Sequence, residues 1–235
     1  MLHIRIFTFN PLSTNCIVAW ADGSGKCTVT DPGMSSPEGC RELTDFLEAR
    51  GLVPEAILLT HGHFDHIWGV EKLRACFPGL PVYLHPADKN ISEKMALGFP
   101  AMQDFAFRKQ AFPSEDLSDG QRLSLGGADW QVLHTPGHSP GSVCFYCAAD
   151  HLLLSGDTLF AGTIGRTDLP GGDYDELMRS LREKVLVLPG DTDVIPGHGQ
   201  PTNLMREATA NPFLQPFNEP DTDWGNQDGL FVRTS

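Results

Sequence analysis

The sequence predicts an α/β protein in which two mixed β-sheets pack face to face and helices cover their outer sides. Three observations support this fold class. Strand-like segments are followed by a helix twice over, in two halves that meet near residue 115. Some strands are short and fully apolar, as buried strands are. The 235-residue chain is long enough to bury a sizeable core as one domain. Two facing sheets with helices outside satisfy this pattern.

In the first half we predict strands at 2–9, 15–20, 27–30, 56–59 and 82–84, of which 56–59 is the buried one. Helices are predicted at 37–50, 66–76 and 87–97. Alternating apolar residues and turn residues between them indicate the strands. The first helix can be capped by Ser36, has Pro37 at its first position and can end at Gly51. Pro86 precedes the last helix of this half.

Residues 98–115 carry four phenylalanines, Phe99, Phe105, Phe107 and Phe112, without a clean period. We predict a cover loop there, which either packs on the domain or lines a substrate cleft. In the second half we predict strands at 121–125, 129–134, 142–146, 152–154 and 194–195. Two helices are predicted there, at 174–184 and 204–210. We assign residues 1–213 to the domain and 214–235 to a C-terminal tail.

Composition excludes several classes of function. The formal net charge of −13 repels a phosphate backbone, so no nucleic-acid partner is predicted. No apolar run approaches the roughly 20 residues that cross a bilayer, so no membrane partner is predicted, and residues 1–7 alternate like a strand rather than a signal peptide. Six dispersed cysteines suit a reducing compartment. We predict a cytoplasmic protein.

The most informative segment is 60–66, Thr-His-Gly-His-Phe-Asp-His, which has three imidazoles and a carboxylate within six residues. Such side chains are costly to leave unpaired, and they suit a borderline metal such as zinc. On an extended segment His61 and His63 point to the same side and can bind one ion. Asp65 and His66, at the turn into the next helix, can face a second ion. Gly62 allows close approach of the backbone.

Three further candidate ligands each follow a predicted strand, in a turn that contains glycine. They are His138, Asp157 and His198. One rim of the sheets can therefore gather them beside the first cluster. Five histidines and two aspartates are enough for two ions that share one carboxylate.

This order of ligands resembles the metallo-β-lactamase fold superfamily, whose HxHxDH motif, later His, bridging Asp and final His correspond to His61, His63, Asp65, His66, His138, Asp157 and His198. The resemblance covers about residues 1–213 and implies a four-layer αββα sandwich. It also implies that His61, His63 and His138 bind a first metal and that Asp65, His66 and His198 bind a second. Asp157 would bridge the two metals.

An aspartate at the bridging position, where β-lactamases of class B1 have a cysteine, resembles the glyoxalase II-like hydrolases. Segment 159–168 is similar to that of short bacterial glyoxalase II-like proteins and also of persulfide dioxygenases. The resemblance implies two divalent metal ions, zinc first, with iron or manganese as alternatives. Since metal coordination lowers the pKa of water from about 15.7 to about 7, we predict that a metal-bound hydroxide, oriented by Asp65 as catalytic residue, hydrolyses a small-molecule hydroxyacyl thioester such as S-lactoylglutathione.

The main alternative is an oxidoreductase like the persulfide dioxygenases, in which a mononuclear iron centre at His61, His63 or His138 neighbours and Asp157 activates oxygen toward a glutathione persulfide. Those enzymes also keep the second-site residues, so the number of ligands does not separate the two functions. A lactonase or β-lactamase-like hydrolase is a further alternative. Segment 169–173, Leu-Pro-Gly-Gly-Asp, favours the short hydrolases. A catalytically silent metal-binding module is disfavoured, because structural zinc sites are normally closed by four ligands, whereas this ligand set leaves room for water. Full-length glyoxalase II enzymes hold glutathione with a basic C-terminal extension, whereas 215–229 has no Lys or Arg, so tight glutathione recognition is not predicted.

Four other positions complete the predictions. Arg166 is assigned to substrate binding as an anchor for a carboxylate, with bracing of its glycine-containing loop as the alternative. Asp31 either orients a ligand histidine or bonds its own backbone in a turn. His134 is predicted to be a hydrogen-bonding residue at a strand end. Cys144 and Cys147 are predicted to pack within a strand rather than to form a redox pair.

Overall fold

A computed structural model describes residues 1–98 and 112–215 of the chain. Of the predicted cover loop, Phe99, Phe105 and Phe107 lie outside the described residues, whereas Phe112 is described and buried. Residues 216–235 of the predicted tail also lie outside them.

The first sheet has six strands in the order β1-β2-β3-β4-β5-β6, at Leu2–Phe9, Thr14–Ala21, Lys26–Thr30, Val53–Leu58, Val82–Leu84 and Glu115–Asp116. Its first three strands pair antiparallel, and β3 to β6 pair parallel. The sheet is therefore mixed, as predicted.

The second sheet also has six strands, in the order β14-β13-β10-β9-β8-β7. They are β7 (Arg122–Leu125), β8 (Ala128–His134), β9 (Val143–Cys147), β10 (Leu152–Gly156), β13 (Asp193–Pro196) and β14 (Thr202–Asn203). The β10–β13 pair is parallel and the other pairs are antiparallel. A small hairpin of β11 (Leu159–Phe160) and β12 (Thr163–Ile164) follows β10.

Six helices are described: α1 (Pro37–Arg50), α2 (Phe64–Ile67), α3 (Val70–Cys76), α4 (Ile91–Gly98), α5 (Tyr174–Ser180) and α6 (Leu204–Ala210). The predicted limits of α1 are confirmed: the Ser36 hydroxyl accepts a hydrogen bond from the Gly39 N–H at 3.2 Å, and Gly51 ends the helix with φ of 63°. None of the helices within residues 1–98 and 112–215 is long and apolar enough to span a membrane.

Three helix predictions need correction. The single helix at 66–76 is two helices, because the Gly69 N–H donates to the Pro32 carbonyl at 2.7 Å and leaves the helical pattern there. The helix at 87–97 is a 3-10 turn, Pro86–Asp88, followed separately by α4. The helix at 174–184 is α5 continued by a π-helical turn, Leu181–Val185. The short strands β6, β11, β12 and β14 were not predicted, because two residues carry no periodic signal.

Alternating side chains of the strands form three apolar layers. Leu152 and Leu154 point between the two sheets, while Leu153 points to the outer layer beneath α5 and α6. In the first sheet Ile17 lies between the sheets, whereas Val18 lies under α1 and α3. Both faces of each sheet are thus buried, and the layer order is the predicted αββα.

We expect Leu154→Ala to destabilise the fold by about 2–5 kcal/mol, because it would leave a cavity between the sheets. Leu154 is fully buried there. The measurement is urea unfolding of the metal-free protein. Val187→Ala, at a side chain that is 67% exposed, is the control and should change stability by no more than about 0.5 kcal/mol. Equal effects of the two substitutions would contradict the layered core.

Candidate metal centre

All seven predicted ligand residues lie at one rim, where strands of both sheets end. His61 and His63 follow β4, and Asp65 and His66 lie in α2. The second sheet supplies the remaining three, which follow β8, β10 and β13 and are His138, Asp157 and His198. Their ligand atoms form three groups within which all atoms lie within 4.8 Å of one another. The first group is His61, His63 and His138, the second group is Asp65, His66 and His198, and a connecting group is His61, His66 and Asp157.

In the first group imidazole nitrogens face one another. His138 Nε2 lies 2.9 Å from His63 Nδ1, and the rings of His61 and His138 are 4.9 Å apart. Three buried atoms of the cluster have no hydrogen-bond partner among the described residues: His61 Nε2, His63 Nε2 and Asp157 Oδ1. Buried polar atoms normally have partners, so these orphaned atoms point to a missing partner.

The second group joins a carboxylate to two imidazoles. Asp65 Oδ2 lies 3.3 Å from both His66 Nε2 and His198 Nε2, and these nitrogens are 3.2 Å apart. Asp157 lies between the two groups: its Oδ1 is 3.5 Å from His66 Nε2, and its Oδ2 is 3.5 Å from the Nε2 atoms of His138 and His198.

The outward nitrogen of four histidines is occupied by a hydrogen bond. His138 Nδ1 donates to the Arg166 carbonyl at 2.8 Å, and His198 Nδ1 donates to the Leu12 carbonyl at 3.0 Å. His66 Nδ1 pairs with Asp31 Oδ2 at 3.0 Å, and His61 Nδ1 pairs with the Thr60 hydroxyl at 3.0 Å. These bonds place the ring proton on Nδ1 and leave the lone pair of Nε2 facing the cluster.

Asp31 connects two of these contacts. Its carboxylate also accepts from the Thr60 N–H at 2.8 Å and the Thr60 hydroxyl at 2.6 Å, so it orients His66 directly and His61 through Thr60. Of the two predicted contacts, the structure has the one to a candidate ligand histidine, His66.

Two contributors at the start of β2 were missed by sequence reasoning. The Thr14 hydroxyl donates to Asp65 Oδ2 at 2.8 Å. The Asn15 side chain donates to the carbonyls of Pro196 and Gly199, both at 2.9 Å, and fixes the turn that carries His198. The only signal available was that polar residues open an otherwise apolar strand, and such a signal does not identify a partner far along the chain.

Burial and charge shift the pKa values of the cluster strongly. Burial and the neighbouring His138 lower the pKa of His63 to about 3. Burial alone would lower the pKa of His198, but hydrogen bonds to Asp157 and Asp65 raise it to about 11. Burial also opposes the charge of Asp157, whose pKa nevertheless falls to about 2 beside His66 and His198. The ionised carboxylates are therefore stabilised by positive charge beside them. Protons on His66 and His198 can supply that charge, and so can bound cations.

The donor set fits a divalent metal ion. Imidazole nitrogens and carboxylate oxygens are ligands of zinc, iron and manganese, and the orphaned atoms belong to three residues of the cluster, His61, His63 and Asp157. The cluster is therefore suited to bind divalent metal.

The other predicted positions are an exposed arginine, a histidine at a strand end and two cysteines. The Arg166 side chain forms two hydrogen bonds of 2.7 Å with the Asp168 carboxylate, and both side chains are exposed. His134 ends β8, and its Nε2 lies 3.0 Å from the Pro140 carbonyl, which confirms a hydrogen-bonding role. Cys144 and Cys147 are buried, unpaired members of β9, as predicted. Burial raises the pKa of the Cys144 thiol to about 11.

Comparison with known proteins gives a family match over most of the chain. Residues 9–198 match the model of the metallo-beta-lactamase superfamily. The chain is 40% identical over 215 residues to "Probable metallo-hydrolase YqgX" of Bacillus subtilis, covering 91% of this chain and 98% of that protein. It is 33% identical over 220 residues to hydroxyacylglutathione hydrolase GloC of Haemophilus influenzae, with coverage of 91% and 98%.

Solved structures give the same fold. BLEG-1 B3 metallo-beta-lactamase has a TM-score of 0.78 at 38% identity, covering 90% of this chain and 99% of that chain. TTHA1623 in a di-iron-bound form has a TM-score of 0.77 at 42% identity, covering 89% and 100%. ETHE1 from Myxococcus xanthus has a TM-score of 0.72 at 23% identity, covering 89% and 83%, a likeness of fold alone.

We expect Asp31→Ala to weaken metal binding about 10- to 100-fold, because hydrogen-bond partners of ligand histidines typically contribute that much. Titration of the metal-free protein with Zn²⁺ against a competing chelator measures the affinity. The control is Asp22→Asn, since Asp22 pairs with His3 at the surface. Unchanged affinity in Asp31→Ala would contradict the orienting role of Asp31.

Proposed function

The chain belongs to the metallo-β-lactamase superfamily, and from that membership we propose that it is a metal-dependent hydrolase of hydroxyacyl thioesters such as S-lactoylglutathione. The observation that carries the proposal is the gathering of five imidazoles and two carboxylates at one rim, with an aspartate between the two groups of ligands. The likeness to hydroxyacylglutathione hydrolase GloC over 98% of its length supports the thioester substrate.

We propose that the cluster holds two divalent ions, one with His61, His63 and His138 and the other with Asp65, His66 and His198. The position of Asp157 supports a bridging role, because its two oxygens face nitrogens of both groups. Zinc is the first choice of metal. The di-iron form of TTHA1623, 42% identical to this chain, supports iron as the alternative.

When bound, the two ions would supply a water activated at neutral pH and would polarise the substrate carbonyl. The residues of the chain provide the orientation. Asp65 is the proposed catalytic residue that orients the attacking water, and the Thr14 hydroxyl holds its Oδ2 at 2.8 Å. The leaving thiolate needs no dedicated general acid, because thiols have a pKa of about 8.5 and leave readily as anions.

Arg166 is proposed to anchor a carboxylate of the substrate. Its carbonyl orients His138, so the residue is adjacent to the first group of ligands. Its side chain is 61% exposed, and its guanidinium pairs with Asp168. The pair lies in solvent, where a substrate carboxylate can compete with Asp168 for the guanidinium.

A cytoplasmic location is also proposed. All six cysteines are unpaired thiols, and unpaired cysteines are typical of reducing compartments.

The proposed function predicts that protein purified without added metal contains zinc or iron and hydrolyses S-lactoylglutathione. His63→Ala should lose metal from the first group and reduce kcat/KM by at least about 1,000-fold, since acyl transfer would lose its main electrostatic stabilisation. Elemental analysis and thiol release measure the two effects. The control is His151→Ala, because His151 pairs with Asp191 at the surface.

The same preparation is tested with a lactone, a β-lactam and glutathione persulfide. Iron content with oxygen uptake on the persulfide, and no thioester turnover, would replace the hydrolase by the persulfide dioxygenase alternative. Metal and thioesterase activity that both persist in His63→Ala would overturn the site assignment.

We expect Arg166→Ala to raise KM for S-lactoylglutathione about 10-fold, equivalent to about 1.4 kcal/mol, with little change in kcat. Steady-state kinetics measure both constants. Arg182→Ala, which removes an exposed pair with Glu183, is the control. A fall in kcat and metal content at unchanged KM would instead show that Arg166 braces the loop.

A further inference from the structure

Asp88 is a fully buried carboxylate outside the metal cluster. It ends the 3-10 turn Pro86–Asp88 between β5 and α4. In the described part of the chain it has no ion pair with Lys or Arg. A buried charge is costly unless hydrogen bonds compensate it, so the donors that Asp88 has acquired indicate what it does.

Those donors come from two turns that carry metal-cluster histidines. Asp88 Oδ2 accepts from the Gly62 N–H at 2.9 Å and from the Ser139 hydroxyl at 2.6 Å. Asp88 Oδ1 accepts from the Gly141 N–H at 2.6 Å. Gly62 stands between His61 and His63, and Ser139 directly follows His138. One carboxylate therefore joins the first sheet's ligand turn to the second sheet's ligand turn.

The backbone is built to approach Asp88 closely. A Cβ atom on Gly62 would lie 2.5 Å from the Asp88 carbonyl oxygen, and a Cβ atom on Gly141 would lie 2.7 Å from the Asp88 carboxyl group. Both distances are shorter than real contacts allow. The close approach that the sequence predicts for Gly62 is thus an approach to Asp88.

A neighbouring residue holds the next peptide group, on the other side of Gly62. The Ser92 hydroxyl in α4 donates to the Gly62 carbonyl. The segment from Asp88 to Ser92 therefore binds both the N–H and the carbonyl of Gly62. These two groups belong to the two successive peptide planes that join His61 to His63, so the orientation of both planes is fixed.

We infer that Asp88 is a positioning residue that sets the separation between the Gly62 turn and the Ser139–Gly141 turn, and thereby the geometry of the ligand set His61, His63 and His138. The inference rests on the proposed metal site and deepens it. Since hydrogen bonds that orient ligands contribute about 10- to 100-fold in metal affinity, loss of this carboxylate should weaken the first ligand set and spare Asp65, His66 and His198.

The test is Asp88→Asn, which is nearly isosteric and places an N–H₂ group against N–H or O–H donors. It is made in the wild-type chain and in His198→Ala, where only the first ligand set is complete. Co²⁺ or Zn²⁺ affinity is measured by competition with a chelator. We expect Asp88→Asn to weaken binding about 10- to 100-fold in the His198→Ala background, and to lower the stoichiometry of the otherwise wild-type chain from two ions toward one.

The matched control is Glu207→Gln, because Glu207 is also buried and accepts from Gly162, Thr202 and Asn211 away from the ligand turns. It should lose stability without losing metal. If Asp88→Asn does not fold, Ser139→Ala decides: it removes one donor to Asp88 and should weaken the first set by a smaller factor.

Wild-type metal affinity in Asp88→Asn would overturn the inference, as would wild-type affinity in Ser139→Ala if Asp88→Asn does not fold. Equal weakening of both ligand sets would also overturn it. So would the same loss of metal in Glu207→Gln. Failure of the proposed function gives different results. If the wild-type chain binds two ions but does not hydrolyse the thioester, the proposed function fails and the role of Asp88 stands. If the wild-type chain binds no metal, the proposed metal site is wrong, and the role of Asp88 is wrong with it.

Discussion

The carboxylates of Asp65 and Asp157, only 8% and 10% exposed, lie among five imidazole rings, so the fold has to supply positive charge there. Protons can do so in part, since the pKa values of His66 and His198 are raised to about 9 and about 11. Those protons occupy the nitrogen lone pairs that would otherwise bind metal. Metal binding and proton release are therefore coupled at this rim, and the surrounding hydrogen bonds determine which nitrogens stay available.

The facing sheets are a precondition of that chemistry. The first sheet contributes four of the candidate ligands and the second contributes three, so neither half contains a complete cluster. Contacts such as Asn15 with Pro196 and Asp88 with Gly141 join the halves directly at the rim. Packing of the apolar layer between the sheets thus assembles the site, and a bound cation would in turn stabilise the folded state.

Much of this arrangement could be predicted from the sequence. The limits of α1 follow from its capping residues, and the ligand-bearing turns follow from spacing after strands. The contacts of Thr14, Asn15 and Asp88 could not be predicted, because each joins segments far apart in sequence, by as much as 184 residues for Asn15 and Gly199. The break between α2 and α3 was missed for the same reason, because the Gly69 N–H donates to the distant Pro32 carbonyl instead of to a carbonyl of its own helix.

Two of the five histidines are oriented by main-chain carbonyl oxygens, His198 by Leu12 and His138 by Arg166. A carbonyl is present whatever the side chain, and the side chains of both residues project into solvent, 49% exposed for Leu12 and 61% for Arg166. Evolution can therefore replace these two side chains at the mouth of the site without disturbing the histidines beneath them. A family can diversify its substrates at such positions while its metal chemistry is inherited unchanged.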